Sequence, residues 1–308
     1  MHRTITISVP ADSTDRLSDE LTDLDQVISL AVERGASIKP PGDVLTVHTL
    51  NRGDDDVLKI VETAREHGQV SVVTQEVESI VDAEHQKLIA GDVDEATWEE
   101  VTTHLHHHGA LTPNFLALIV VGGIVATSGL FLPPISQAIA LVAAAVIAPG
   151  FEPIARIPFG LVLRQRDLIL RGVASAITAY VVLIITSALL FLVLRLTGTL
   201  SVADVLHSSQ VYNISHPGHL DMLLSASGAA AGIIMTLGYR RGLMPGPLMA
   251  MALIPAASIA GVALVAGEPL LFFHALKRLG IDMALIIVLG LAIVFIKQVT
   301  VHRRMPLA

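Results

Sequence analysis

The stretch Ala148-Pro149-Gly150-Phe151-Glu152-Pro153 interrupts a long apolar run with two prolines, a glycine and a carboxylate. Proline removes a backbone donor and clashes with the carbonyl four residues earlier, so a helix entering this stretch stops or kinks and leaves carbonyls without intrahelical partners. In hydrocarbon, such carbonyls and half-helix ends are the groups that coordinate an ion or a small polar solute. Leu253-Ile254-Pro255-Ala256 predicts a matching break in a later apolar run. Pro149, Gly150, Glu152, Pro153 and Pro255 are therefore candidate solute contacts. Lys277, Arg278 and Asp282 set charges into the last apolar run, where ionisable groups are costly and commonly functional, and Lys277 and Asp282 join the candidates.

Each ionisable group has two readings. Counted from Pro134 at about 1.5 Å per residue, Glu152 lies about 27 Å along its run, towards one side of the bilayer. There it is either neutralised at the interface by Arg156 at i,i+4 or takes part in gating or proton coupling. The last run is either one long helix, whose charges face a bundle interior, a cavity or one another, or a helix that begins near Ile281 and leaves them in an outer loop. His104 and His108 share a helix face on a connector, and His216, His219 and Asp221 gather with His207 on the outer side. Both groups are weak candidates for a divalent cation, since histidines on a helix end or a surface loop are more often simply solvated. No resident metal or cofactor is expected.

The elements that must carry these groups are apolar. The 308 residues are 52% hydrophobic with a mean hydropathy of +0.65, which marks a multi-pass membrane protein. Six spans fit residues 114–132, 134–163 with its break, 168–195, 219–238, 247–266 and 269–297. Arg164, Arg166 and Arg171, then Arg240 and Arg241, then Lys297, Arg303 and Arg304 fall on one side of these spans, while the opposite connections lack Lys and Arg. The positive-inside rule puts both termini in the cytoplasm of a cell-membrane protein. Residues 1–25 lack the apolar core of a cleavable signal.

Three spans plus three spans predicts an inverted repeat. The first span of each half is rich in small residues (Gly122, Gly123, Ala126, Gly129; Ser225, Ser227, Gly228, Ala229, Gly232), which permit close helix approach, and the second carries the proline.

The remainder divides into residues 1–90, a connector over 91–112, the membrane part over 113–298 and a basic tail over 299–308. Of the 28 acidic residues, 22 precede Gly109, against 8 of the 20 basic ones. With only five lysines, this acidic surface fits a halophilic host or an ordinary solvated domain. Short β-prone runs at 4–9, 26–31, 44–50 and 70–74 alternate with two helical patterns, the second opened by Asp54-Asp55-Asp56 as caps and ended by His67-Gly68. The order β-α-β-β-α-β is that of a ferredoxin-like α+β domain, placed ahead of an α-helical membrane bundle. A polar helix is expected over 92–108, with Trp98, Val101 and Leu105 on one side. Cysteine is absent, and no Ser-His-Asp order, HExxH helix, P-loop or GxGxxG turn is present, so neither an enzyme nor a nucleic-acid partner is expected.

The run Val146-Ile147-Ala148-Pro149-Gly150-Phe151-Glu152-Pro153-Ile154 resembles the serine-proline-x-x-glycine-proline-like signature of the domain of unknown function 389 family. The run from Pro247 to Pro255, with Gly261, is similar to its alanine-rich stretch ending in prolines. The likeness spans about residues 114–297 and implies a membrane fold with a soluble N-terminal domain. Ala148 stands where the family tends to have serine, and Phe151 and Glu152 where it has a glycine. Lys277 and Asp282 stand where its last span offers asparagines. If neutral amides hold a solute in relatives, these charges change the preference here. The sequence thus points to a secondary transporter or channel-like permease for an ion or small polar solute, controlled by its soluble domain and assembled as a homo-oligomer. The alternative is a non-conducting sensor or scaffold in the lipid bilayer whose soluble domain binds a partner.

Overall fold

The computed structural model describes residues 2–93, 95–238 and 245–306. Arg240 and Arg241, read above as one of the basic connections, lie outside the described residues. The chain is mostly helical with one small antiparallel sheet, and it forms two compact units: Met1–Glu99 with Leu237–Tyr239 and His302–Ala308, and Glu100–Thr236 with Arg240–Val301.

The first unit contains β1 (His2–Val9), α1 (Ala11–Thr22), β2 (Val27–Ile38), β3 (Pro41–Thr49), α2 (Asp54–Ala64), β4 (Ser71–Val77) and the short α3 (Gln86–Ala90). The strands lie in the order β2-β3-β1-β4, each antiparallel to its neighbour. Period-two alternation sends Ile5, Ile7 and Val9 of β1 and Leu45 and Val47 of β3 to one face. Leu17 and Leu21 of α1 and Val57 and Val61 of α2 close over them, all fully buried. The alternate residues stay half-exposed, and there Thr4 Oγ1 and His48 Nδ1 approach to 2.8 Å.

Three local expectations are corrected. β2 runs to Ile38 rather than 31, because pairing with β3 carries it beyond its β-prone core. Asp54, Asp55 and Asp56 occupy the first turn of α2 rather than its N-cap, which is Gly53. Asp54 is buried against Arg3, whose Nε donates at 2.7 Å. The connector helix α4 (Trp98–His108) begins late, because residues 91–93 and 95–97 are non-helical, with hydrogen bonds to the rest of the unit. Asp92 accepts from the Asn51 N–H at 2.9 Å and lies 3.1 Å from His2 Nδ1, while the Glu95 carbonyl accepts from Arg3 Nη2 at 3.0 Å. Trp98, Val101 and Leu105 are buried, as their spacing predicts.

The basic tail is part of this unit. Arg304 donates through both Nη atoms to Glu99, at 2.7 and 2.6 Å, and through Nε to Asp55 Oδ1 at 2.6 Å. His302 Nδ1 lies 2.8 Å from Asp55 Oδ2, and the indole N–H of Trp98 donates to the His302 carbonyl at 3.4 Å. Burial raises the Asp55 carboxyl, but the His302 hydrogen bond and the Arg304 charge outweigh it and hold the group below the usual carboxylate range. Burial also opposes the Arg304 charge, and its bonds to Glu99 and Asp55 more than restore it.

The second unit continues α4 and adds α5 (Pro113–Gly129), α6 (Pro134–Ile147), α7 (Phe151–Val162), α8 (Arg166–Leu196), α9 (Val202–His207), α10 (Ser209–Ser215), α11 (His219–Leu237), α12 (Pro245–Ala266) and α13 (Pro269–Thr300). Among the described residues, α8, α11 and α13 are long and apolar enough to cross a membrane. The count rises to five if the bent pairs α4–α5 and α6–α7 are each one span, and Ala252–Ala266 of α12 is a shorter apolar helix. α8 is apolar all round. Leu170, Ile177, Ile185, Leu189 and Leu196 are each more than half exposed, a surface water does not favour and lipid does. These helices suggest a membrane location.

Two outcomes are expected for the first unit. Trp98 is the only tryptophan, so its emission reports on this unit. Ile7→Ala removes a fully buried side chain and should cost about 2–5 kcal/mol in denaturant unfolding followed by that emission. Asp55 has a depressed pKa, so its contribution is present above the unfolded value of about 3.9 and is lost as pH falls through the lower folded value. Acidification below about pH 4 should therefore red-shift Trp98 emission, and Arg304→Ala should produce that shift already at neutral pH.

Candidate functional site

The break between α6 and α7 follows from its prolines. Ala148, ahead of Pro149, is extended (φ −86, ψ 117), the conformation a following proline favours, and α6 ends there. α7 restarts after Gly150 with Pro153 in its first turn, where a missing N–H costs nothing, and the two helices meet at 50°. Of the carbonyls expected to be exposed, that of Gly150 accepts from the buried Tyr180 hydroxyl of α8 at 3.0 Å.

Small residues let neighbouring helices close on the break. A Cβ on Gly122 of α5 would meet Ala148 Cβ at 2.5 Å, and one on Gly232 of α11 would meet the Phe151 ring at 2.9 Å. A Cβ on Gly150 would lie 3.1 Å from Ile254 Cδ1 of α12, so the two proline stretches are neighbours.

The second proline does not break its helix, contrary to expectation. α12 runs through Pro255 without interruption. It packs against α5, α6, α7, α8 and α13, and Leu253, Ile254, Ala256 and Ala257 are fully buried. Contacts on all sides hold a proline-containing helix that would kink alone.

The ionisable groups divide differently from their sequence pairing. Arg156 is not joined to Glu152 by an ion pair. Its Nε donates to the Leu105 carbonyl at 2.8 Å, its Nη2 to the His106 carbonyl at 2.6 Å and its Nη1 to Ser175 Oγ at 3.4 Å. It reinforces the end of α4, where the Leu105 carbonyl also accepts from the Gly109 N–H and the His106 carbonyl gains a side-chain donor. Glu152 Oε2 is buried without a hydrogen-bond partner among the described residues.

α13 is one continuous helix, which decides between the two readings of the last run. Arg278 Nε donates to Asp282 Oδ2 at 2.8 Å, and Nη2 donates to Ser225 Oγ of α11 at 2.6 Å. Asp282 is fully buried, Arg278 is 6% exposed and Lys277 is exposed. Asp282 Oδ1 has no hydrogen-bond partner among the described residues. Arg278 and Asp282 thus form a buried ion pair inside the helices.

Two cavities open beside it. One, of about 590 Å³, is walled by α10, α11 and the Ala252 side of α12, with Asn213, Ser225, Ser227, Gly228 and Arg278 in its lining. The other, of about 530 Å³, is lined by His216, His219, Met222, His274, Lys277 and Arg278 among others. Arg278 faces both, whereas Glu152 and Asp282 line neither.

Of the histidines, His104 and His108 place their rings 4.3 Å apart, and His216 packs edge-on against His274 at 4.4 Å. Asp221 accepts from the Gly218 N–H at 2.8 Å. No group of three His, Asp or Glu able to hold a metal occurs among the described residues.

Sequence reasoning passed over Arg278 in favour of Lys277. The i,i+4 spacing of Arg278 and Asp282 on an apolar helix was the available signal. Ser225 and Tyr180 carry no such signal, because only packing puts them there.

Breaking the buried pair from one side should be severe. Asp282→Ala leaves a guanidinium without its counter-charge and is expected to cost about 3–5 kcal/mol, while Arg278→Met/Asp282→Leu, which leaves neither charge, should recover most of that loss. Thermal unfolding of the detergent-purified chain checks this, and equal losses in the two variants would contradict it.

No curated protein and no solved structure matches this chain. The model of the family described as Domain of unknown function (DUF389) matches residues 145–288, from just before the α6–α7 break to beyond the Arg278–Asp282 pair, and over that stretch the chain resembles this family.

Proposed function

We propose that this chain is a multi-pass protein of the cell membrane, with six spans and cytoplasmic termini, that acts as a secondary transporter or channel-like permease for an ion or small polar solute. The observation that carries this reading is the cavity of about 590 Å³ among α10, α11, α12 and α13, with the buried Arg278 in its lining. A guanidinium is held at such depth at considerable expense, and ionisable groups so placed commonly mark solute paths. The broken α6–α7 pair packs against α11 and α13, two of the helices that line this cavity, and supplies the kind of discontinuous helix that builds such sites.

Two finer points belong to the same reading. The 3+3 inverted repeat draws support from the order of the apolar helices and from the glycines of α5 and α11 that face the break, while the continuity of α12 makes the halves unequal. The first unit is a ferredoxin-like module, supported by its βαββαβ order and β2-β3-β1-β4 sheet. β2 and β4 stand at the sheet edges, where a second copy can add, and the tail network gives the module a hold on the segment that follows α13.

Purified protein in liposomes, under imposed gradients of a broad panel of ions and small solutes, should show flux above protein-free vesicles. Ser227→Phe, which places a ring in the lining of the larger cavity, should lower that flux by about tenfold or more. If no solute moves, the non-conducting scaffold takes the place of the permease.

A further inference from the structure

We infer that Arg278 is an anion receptor, whose Nη1 group takes the carboxylate or oxyanion head of a small solute entering from the cavities. This rests on the permease reading and names its substrate class. A guanidinium carries five N–H donors and stays charged in proteins, so a buried one needs acceptors on every side. Arg278 has them on two sides only. Nε is matched by Asp282 and Nη2 by Ser225, both through oxygen, but Nη1 meets the Met222 thioether sulfur at 3.5 Å, a weak acceptor.

The surroundings favour the same charge. The smaller cavity combines Arg278 with Lys277 and with His216, His219 and His274, and among the described residues its lining holds no aspartate or glutamate. In the larger cavity Asp221, the one carboxylate among the described lining residues, is already engaged by the Gly218 N–H, and Gln210 and Asn213 offer amides for the rest of a polar solute. Asp282 neutralises the guanidinium from a side that lines neither cavity, so it does not occupy the place an anion would take. A planar guanidinium with Nε held by a carboxylate and Nη1 left on a weak acceptor is preorganised for a second oxyanion. The oxyanion has two sources, a dissolved anion or the phosphate of a lipid headgroup.

The test measures binding, not transport. Radiolabelled acetate, phosphate and sulfate are each titrated against the full-length protein in detergent by scintillation proximity, and phospholipid retained through purification is quantified by mass spectrometry. Saturable binding of at least one dissolved anion is expected, weakened about tenfold or more in Ser227→Phe and in Arg278→Met/Asp282→Leu, the double variant keeping wild-type helicity. Retained phospholipid that disappears in the same two variants, with no free anion bound, supports the receptor and assigns it to a headgroup. Neither a free anion nor a variant-sensitive phospholipid, or anion binding unchanged in both variants, overturns it. Anion binding without flux of any solute removes the permease reading and leaves the receptor; flux of a cation or neutral solute without anion or phospholipid binding does the reverse.

Discussion

The helical unit is governed by one constraint: away from water, each backbone group released from a helix must find a partner. Pro149 ends α6 and turns the chain by 50°, and at the break the Gly150 carbonyl accepts from the Tyr180 hydroxyl. That bond fixes α8 against the break. Gly122, Gly150 and Gly232 then admit Ala148, Ile254 and Phe151 at distances no side chain would allow, so α5, α12 and α11 all approach the same few residues. A proline that would be a local defect becomes the place where four helices are registered.

The same rule explains why the two buried arginines differ in role. Arg156 spends its donors on the carbonyls of Leu105 and His106 and on Ser175, which makes it a cap for α4. Arg278 has a carboxylate and a hydroxyl on two sides and open cavity on another. Both are buried guanidiniums, and what separates them is the acceptors around them.

In the sheet-containing unit, charge holds together segments far apart in sequence. Arg3 ties β1 to the start of α2 and to the Glu95 carbonyl, and Arg304 ties the chain's end to Asp55 and Glu99. Asp54 and Asp55 of α2 thus serve as acceptors for cations from both ends of the chain, in addition to the dipole of the helix they begin.

Local pattern determined much of this protein by itself. Short β-prone runs located the four described strands, though β2 extends past its run, apolar length located α5 to α8 and α11 to α13 within a few residues, and the Pro149 and Pro153 spacing located the break, because each follows from a short window of covalent geometry. Only the tertiary structure decided that Pro255 stays inside a continuous helix, since packing on all sides outweighs a local kink. It also decided that Arg156 serves α4 instead of Glu152, and that Arg278, rather than Lys277, is the buried cation. One residue's shift along a helix turns a side chain by about 100°, so neighbours in sequence face opposite surroundings, and which of them is buried depends on helices that no local window contains.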